Sequence, residues 1–197
     1  MKYHRIGFAG SGNLAWHLAQ DLEKAGHFIP VIYSRNPENA ALLASQLYDT
    51  TVISEPDFSE FNLEVLILAV SDDAIERLSE EILVNENTIV VHTSGAKSME
   101  SLEFLKENYG VFYPLQSFTK EKAIDLSDVP FCIEASSTRV HEVLFTIARS
   151  LSSKVVVLDS EQRKVLHLAA VFANNFTNHL FALAEKMLQD QGLDFEN

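Results

Sequence analysis

Two glycines one residue apart, with a small residue three positions after the second, give this chain its clearest chemical feature. Gly10-Ser11-Gly12-Asn13-Leu14-Ala15 fits G-x-G-x-x-A. That spacing suits a pyrophosphate. The first glycine permits a tight turn, the second lets the backbone approach the phosphates, and the small third residue lets a helix pack closely on its strand. N–H groups at the start of that helix then face the phosphate oxygens. Glycine pairs are common at strand–helix turns, so context decides: here an apolar run, Ile6 to Ala9, comes before and a helical pattern follows.

Ser34-Arg35-Asn36 ends the second apolar run, where an NAD-preferring site places an acid to accept from the ribose hydroxyls. A hydroxyl and a guanidinium there suit the 2′-phosphate of NADP, and Arg35 can also stack on adenine. Three further segments lead out of strand-like runs toward the same side: Val70-Ser71-Asp72, His92-Thr93-Ser94-Gly95 and Tyr113-Pro114-Leu115-Gln116. His92 can donate a proton or orient a carbonyl, or it can simply shape its turn. His167, Asn174 and Asn178 are seven and four residues apart, which puts them on one narrow helical stripe that Glu185 extends. Asparagine is a poor helix former, so two on one stripe of an otherwise apolar helix point to a face turned toward substrate. Amides fixing helix–helix register would explain the same pattern. His4, His17, His27 and His141 fall at strand edges or on helices and read as surface residues. No His or Cys pair has metal-ligand spacing.

Stepping these residues into place requires alternating strands and helices. Through about residue 115, short apolar runs alternate with helical patterns, the mark of βαβ units and a parallel sheet. The expected strands are 6–9, 28–33, 51–53, 65–70, 88–91 and 111–113. Helices follow the first, second, fourth and fifth of these. Asn36-Pro37 is a cap and a first-turn proline. Two more strands, 131–134 and 155–158, flank a helix carrying Val140, Val143, Leu144, Ile147 and Leu151 in phase. From about 160 to 191 the pattern is helical without Pro or Gly. The fold class is therefore α/β: a Rossmann-type parallel sheet with helices on both faces, then a long helix belonging to a helical, dimerising domain. Residues 1–158 form the dinucleotide-binding domain, and 159–197 read as the start of a helical domain that breaks off early.

Composition limits the partners. The chain has 197 residues, 47% of them hydrophobic, and a net charge of −13. A surface this acidic repels nucleic acid. No run approaches the roughly 18 apolar residues of a membrane span. The single cysteine, Cys132, favours a reducing compartment and points to the cytoplasm.

Six blocks in order, GSGNLA, SRNP, AVSDDAI, HTSGA, YPLQSF and HLAAVFANNF, together resemble the Rossmann-like NADP oxidoreductases that carry a C-terminal helical domain of unknown function. That group is similar to pyrroline-5-carboxylate reductase and to deazaflavin-dependent NADP reductases. The resemblance covers nearly the whole chain. It implies NADP binding at Gly10, Gly12, Ser34 and Arg35, with His92, Ser94 and Gln116 near the nicotinamide. The family usually has proline where this chain has Ser71, and its members continue with further helices beyond the point matching Asn197. The expected function is hydride transfer between NADP(H) and a C=O or C=N group of a small metabolite. His92 and His167 are the proton-handling candidates, and Asn174 and Asn178 orient substrate. The alternative is a non-catalytic NADP sensor or scaffold. The long helix is apolar on more than one face, which predicts a homodimer formed through it, with the family's further C-terminal helices as the alternative cover.

Overall fold

The computed structural model describes residues 3–105 and 108–193. The last four residues of the expected 159–197 unit thus lie outside the described residues. Eight strands form one sheet in the order β3-β2-β1-β4-β5-β6-β7-β8. They are β1 (Ile6–Ala9), β2 (Val31–Tyr33), β3 (Thr51–Ile53), β4 (Val65–Leu68), β5 (Ile89–His92), β6 (Tyr109–Pro114), β7 (Phe131–Ala135) and β8 (Val155–Val157). The first six are parallel; β7 runs antiparallel to β6, and β8 parallel to β7. The chain reverses between β1 and β4, so the loops leaving those two strands flank a crevice at their carboxyl ends.

Alternation along the strands sends side chains into two cores. Val65 and Ile67 of β4 join the core that includes Leu18, Leu22, Leu144 and Ile147. Leu66 and Leu68 point the other way, to Ile75, Leu78 and Leu102. The helices covering these faces are α1 (Asn13–Lys24), α2 (Pro37–Ala44), α3 (Asp72–Glu81) and α4 (Thr138–Leu151). Asn36 caps α2, its side chain accepting from Asn39 N at 3.0 Å. The second strand is shorter than its apolar run suggests because Pro30, which has no N–H to pair, precedes Val31. Leu102 and Leu105 lie in a 3₁₀ stretch, Met99–Leu105, rather than an α-helix.

The long helix forms as α5 (Ser160–Ala170), a π-helical segment (Val171–Phe176) and α6 (Thr177–Gln189). The sequence makes it mostly buried; in the structure Arg163 alone of its residues is buried. Among the described residues, no helix is long and apolar enough to cross a membrane.

Three of the histidines expected at the surface are buried with polar partners. His4 Nδ1 lies 2.8 Å from Glu64 Oε2, and its ring stacks on His27 at 5.4 Å between centroids. His27 Nδ1 accepts from His4 N, and its Nε2 meets Ser150 Oγ at 2.9 Å. His17 Nε2 lies 2.7 Å from the Thr119 carbonyl. These rings tie β1 and α1 to neighbouring loops and to α4, a long-range role that strand and helix periodicity does not register.

Candidate active site

The turn after β1 is built for a phosphate. Gly10 sits at φ 116°, and a Cβ there would stand 2.1 Å from the Ala69 carbonyl oxygen, so only glycine fits. A Cβ on Gly12 would meet nothing within 4 Å, which leaves its backbone open to an incoming group. Gly12 is also the N-cap of α1 and offers no side-chain hydrogen bond, so the first N–H groups of that helix have no side-chain cap. This open, uncapped helix start fits a pyrophosphate. Leu14 packs its side chain against the core and can serve only through its backbone, while Asn13 is exposed.

A cavity of ≈ 280 Å³ extends from the turn between β2 and α3. Ser11, Ser34, Arg35, Val70 and Ser71 line it together with Gly10 and Gly12, as the sequence places them. Ser11 Oγ donates to Ser34 Oγ at 2.8 Å, and Asn36 N donates to the same oxygen at 3.3 Å. Ser34 thus holds the loop and keeps its own O–H as a donor. Sequence reasoning missed Asn39 and Arg77 in this cavity. Arg77 lies on a charged helix, where it reads as a solvated residue.

His92 and Ser94 occupy different surroundings from those expected. His92 is fully buried; Ser94 N donates to its Nδ1 at 3.2 Å, and its Nε2 donates to the Ser98 carbonyl at 3.2 Å. Both ring nitrogens are engaged, and His92 borders neither this cavity nor the second one. Of the two roles open from sequence, this geometry is the turn-shaping one. Ser94 accepts from Ala96 N and Lys97 N and also shapes the loop.

Burial, reinforced for His92 by the Arg163 charge, pushes His92 and His27 down to about 4. Unfolded, each ring titrates near 6.5 and takes up a proton that the folded form refuses. Stability should therefore rise with pH between about 4 and 6.5, and be lost as pH falls through that window. The expected contribution is about 1–3 kcal/mol for each ring. Urea unfolding at about pH 7 and about pH 5 measures it, and equal midpoints would contradict it.

The second cavity, ≈ 140 Å³, lies where the long helix passes the end of β6. Tyr113, Gln116, Ser117, His167, Asn174 and Asn175 supply its polar lining. Tyr113 Oη and His167 Nδ1 are 2.8 Å apart. Burial pushes the Tyr113 phenol up to about 12, so it remains protonated at neutral pH. Gly95 makes room for the pair: a Cβ there would lie 2.5 Å from His167 Nδ1 and 2.8 Å from Tyr113 Cζ. Asn174 Nδ2 donates to Ser117 Oγ at 3.1 Å, and its Oδ1 accepts from Asn178 Nδ2 at 3.2 Å. Asn178 stands outside the lining and acts on Asn174. The π segment, with its wider turn, brings the consecutive residues Asn174 and Asn175 to the same cavity. The sequence places Tyr113 with its segment at the cleft but gives it no role, because an aromatic in a strand reads as core; its hydrogen bond crosses 54 positions.

A buried polar knot sets the helix in place. Arg163 Nη1 pairs with Glu134 Oε2 of β7 and Nη2 donates to the Lys97 carbonyl. Ser160 N donates to Glu134 Oε1 at 3.0 Å. Ser160, His167 and Asn174 are seven residues apart and meet Glu134, Tyr113 and Ser117 in turn. Among the described residues, no group of His, Cys, Asp or Glu could hold a metal ion.

Fold and site together define a Rossmann-type protein with a dinucleotide cleft bordered by a helix. The sequence matches the family described as NADP oxidoreductase, coenzyme F420-dependent, over residues 5–96, and a domain of unknown function, DUF2520, over residues 129–197. It is similar to the putative NADP oxidoreductase BF3122 of Bacteroides fragilis, at 38% identity and a TM-score of 0.86, over 98% of this chain and 75% of that one. Protein TM1727 of Thermotoga maritima is 28% identical, with a TM-score of 0.73, over 96% of this chain and 71% of that one. A reductive aminase of Aspergillus terreus, solved with NADPH and ethyl-5-oxohexanoate, shares the fold at 14% identity and a TM-score of 0.74, over 98% of this chain and 69% of that one. No curated protein matches the sequence. The chain belongs to the NADP oxidoreductase family that pairs this nucleotide-binding domain with the C-terminal domain of unknown function.

Proposed function

We propose that the protein transfers hydride between NADP(H) and the C=O or C=N carbon of a small polar metabolite, and that Tyr113 and His167 handle the proton. The observation that carries this is the 2.8 Å contact between Tyr113 Oη and His167 Nδ1 inside a polar cavity. Gly10, Ser11, Gly12 and the backbone of Asn13 and Leu14 hold the pyrophosphate. Ser34 and Arg35 take the 2′-phosphate, and Val70 and Ser71 line the cleft. When bound, the nicotinamide supplies or accepts the hydride. In the reducing direction the carbon gains hydride and the heteroatom gains the proton from Tyr113 Oη. His167, half-buried, returns a proton to that oxygen from solvent. Asn174, held by Ser117 and Asn178, and Gln116 orient the substrate. His92 and Ser94 hold the loop that makes room for the pair.

A sensor or scaffold would bind the same cofactor but has no use for a buried phenol fixed by an imidazole. NADPH oxidation against a panel of imino acids, keto acids and aldehydes separates the two. Turnover of one carbonyl or imine class is expected, and binding without turnover across the panel would favour the sensor.

The domain reading, 1–158 for nucleotide and 159–197 for the helical unit, rests on β8 closing the sheet just before α5. The cytoplasmic assignment rests on the one cysteine, Cys132, being buried and unpaired. Assembly follows from the helix. Phe172 is 58%, Phe176 51% and Leu183 45% exposed, and the half of each side chain left in water forgoes about 1 kcal/mol. A second copy covering this face makes a homodimer. Sedimentation equilibrium of this chain at micromolar concentration should show the dimer; a stable monomer would refute it.

A further inference from the structure

Arg77 is unassigned by the reading above, yet it lies on the face of α3 that meets the cofactor cavity. Ala74, Arg77, Leu78 and Glu81 all line that cavity, at the i, i+3, i+4, i+7 spacing of a single helical stripe. Arg35 lines the same cavity from the end of β2. We infer that Arg77 is the second cation of the 2′-phosphate subsite and that Glu81 keeps it there as a displaceable partner. This rests on the reading that Ser34 and Arg35 hold that phosphate.

The chain is −13 overall, and α3 itself begins with Asp72 and Asp73. A dianionic phosphate entering this field needs concentrated local positive charge. On the β2 loop, Ser34 Oγ accepts from Ser11 and Asn36 and has a single neutral O–H left to donate, and the Asn36 side chain caps α2. Beside the neutral Ser34 and Asn39, the lining holds two cations, Arg35 after β2 and Arg77 on α3, and guanidinium is the donor best shaped for phosphate oxygens. Arg77 Nε stands 3.6 Å from Glu81 Oε1, a long contact between exposed side chains. Such a pair exchanges partners at little cost. Glu81 therefore holds Arg77 toward the cavity when no phosphate is present and opposes the phosphate by its own charge.

The probes are adenosine 2′,5′-bisphosphate and adenosine 5′-monophosphate, which differ only in the 2′-phosphate, titrated by protein fluorescence against the full chain. Arg77→Gln should weaken the bisphosphate about tenfold and leave the monophosphate unchanged. Glu81→Gln should tighten the bisphosphate alone. Arg35→Gln is the control for the underlying reading. If Arg35→Gln weakens the bisphosphate and Arg77→Gln does not, the role given to Arg77 is overturned while the cavity keeps its phosphate. If neither variant changes the ratio of the two affinities, the 2′-phosphate lies elsewhere and both readings fall.

Discussion

Gly12→Val is expected to abolish dinucleotide binding while leaving the fold intact. A Cβ at this position meets nothing within 4 Å beyond its chain neighbours, and its φ of −74° suits any residue, so the folded chain tolerates a branched side chain there. The space it takes is the approach of a pyrophosphate to the backbone and to the open start of α1. Affinity for NADPH should fall at least about 100-fold, equivalent to about 2.7 kcal/mol, with the thermal midpoint little changed. Gly10→Ala is the contrast. Its φ of 116° and the Ala69 carbonyl at 2.1 Å from a Cβ make that change a folding defect. Parent-like NADPH affinity in Gly12→Val would place the phosphates away from this turn.

Arg163→Met should cost about 3–5 kcal/mol of stability, the usual consequence of stranding one partner of a buried ion pair. Arg163 is 1% exposed, and without it the Glu134 carboxylate keeps its Ser160 donors but loses the buried cation it pairs with. At about 2–4 °C per kcal/mol for a chain of this size, the midpoint should drop by roughly 10 °C. Glu134→Gln with Arg163→Met removes the stranded charge and should recover part of the loss. A single-variant loss below about 1 kcal/mol would show that the knot contributes little. Because Arg163 also donates to Lys97 in the loop that carries Gly95, the variant should loosen the cavity as well as the fold.

Most of the architecture could be read directly from spacing. The order of strands and helices, the glycine turn and the Asn36-Pro37 helix start all depend on local chemistry, and all stand where the sequence puts them. What could not be read depends on contacts distant in the chain. That β7 runs antiparallel to β6 is decided by sheet packing, since either direction gives the same apolar run. His4, His17 and His27 look like surface residues one at a time, and find their partners 60, 102 and 123 positions away. The stripe of His167 and Asn174 was visible at its seven-residue spacing. Its pairing with Tyr113 and Ser117 was not, because nothing in a strand's pattern separates a core tyrosine from one that bonds across a cavity. The π segment has no sequence signal of its own here. Arg77 was hidden by Glu81, four residues on, a pairing that reads as an ordinary exposed helix face.

The central claim is that hydride transfer takes place beside Tyr113 and His167. The most direct test compares NADPH affinity and NADPH oxidation in the parent chain and in His167→Ala, using a substrate from the active carbonyl or imine class. Loss of a positioned proton-handling group costs about 10²–10⁴-fold. The account predicts a fall of that size in kcat, partly restored in His167→Gln if the amide can still hold the Tyr113 hydroxyl, with NADPH affinity unchanged in both. Unaltered kcat in His167→Ala, with the same tight NADPH binding, would contradict it and move the chemistry away from this cavity.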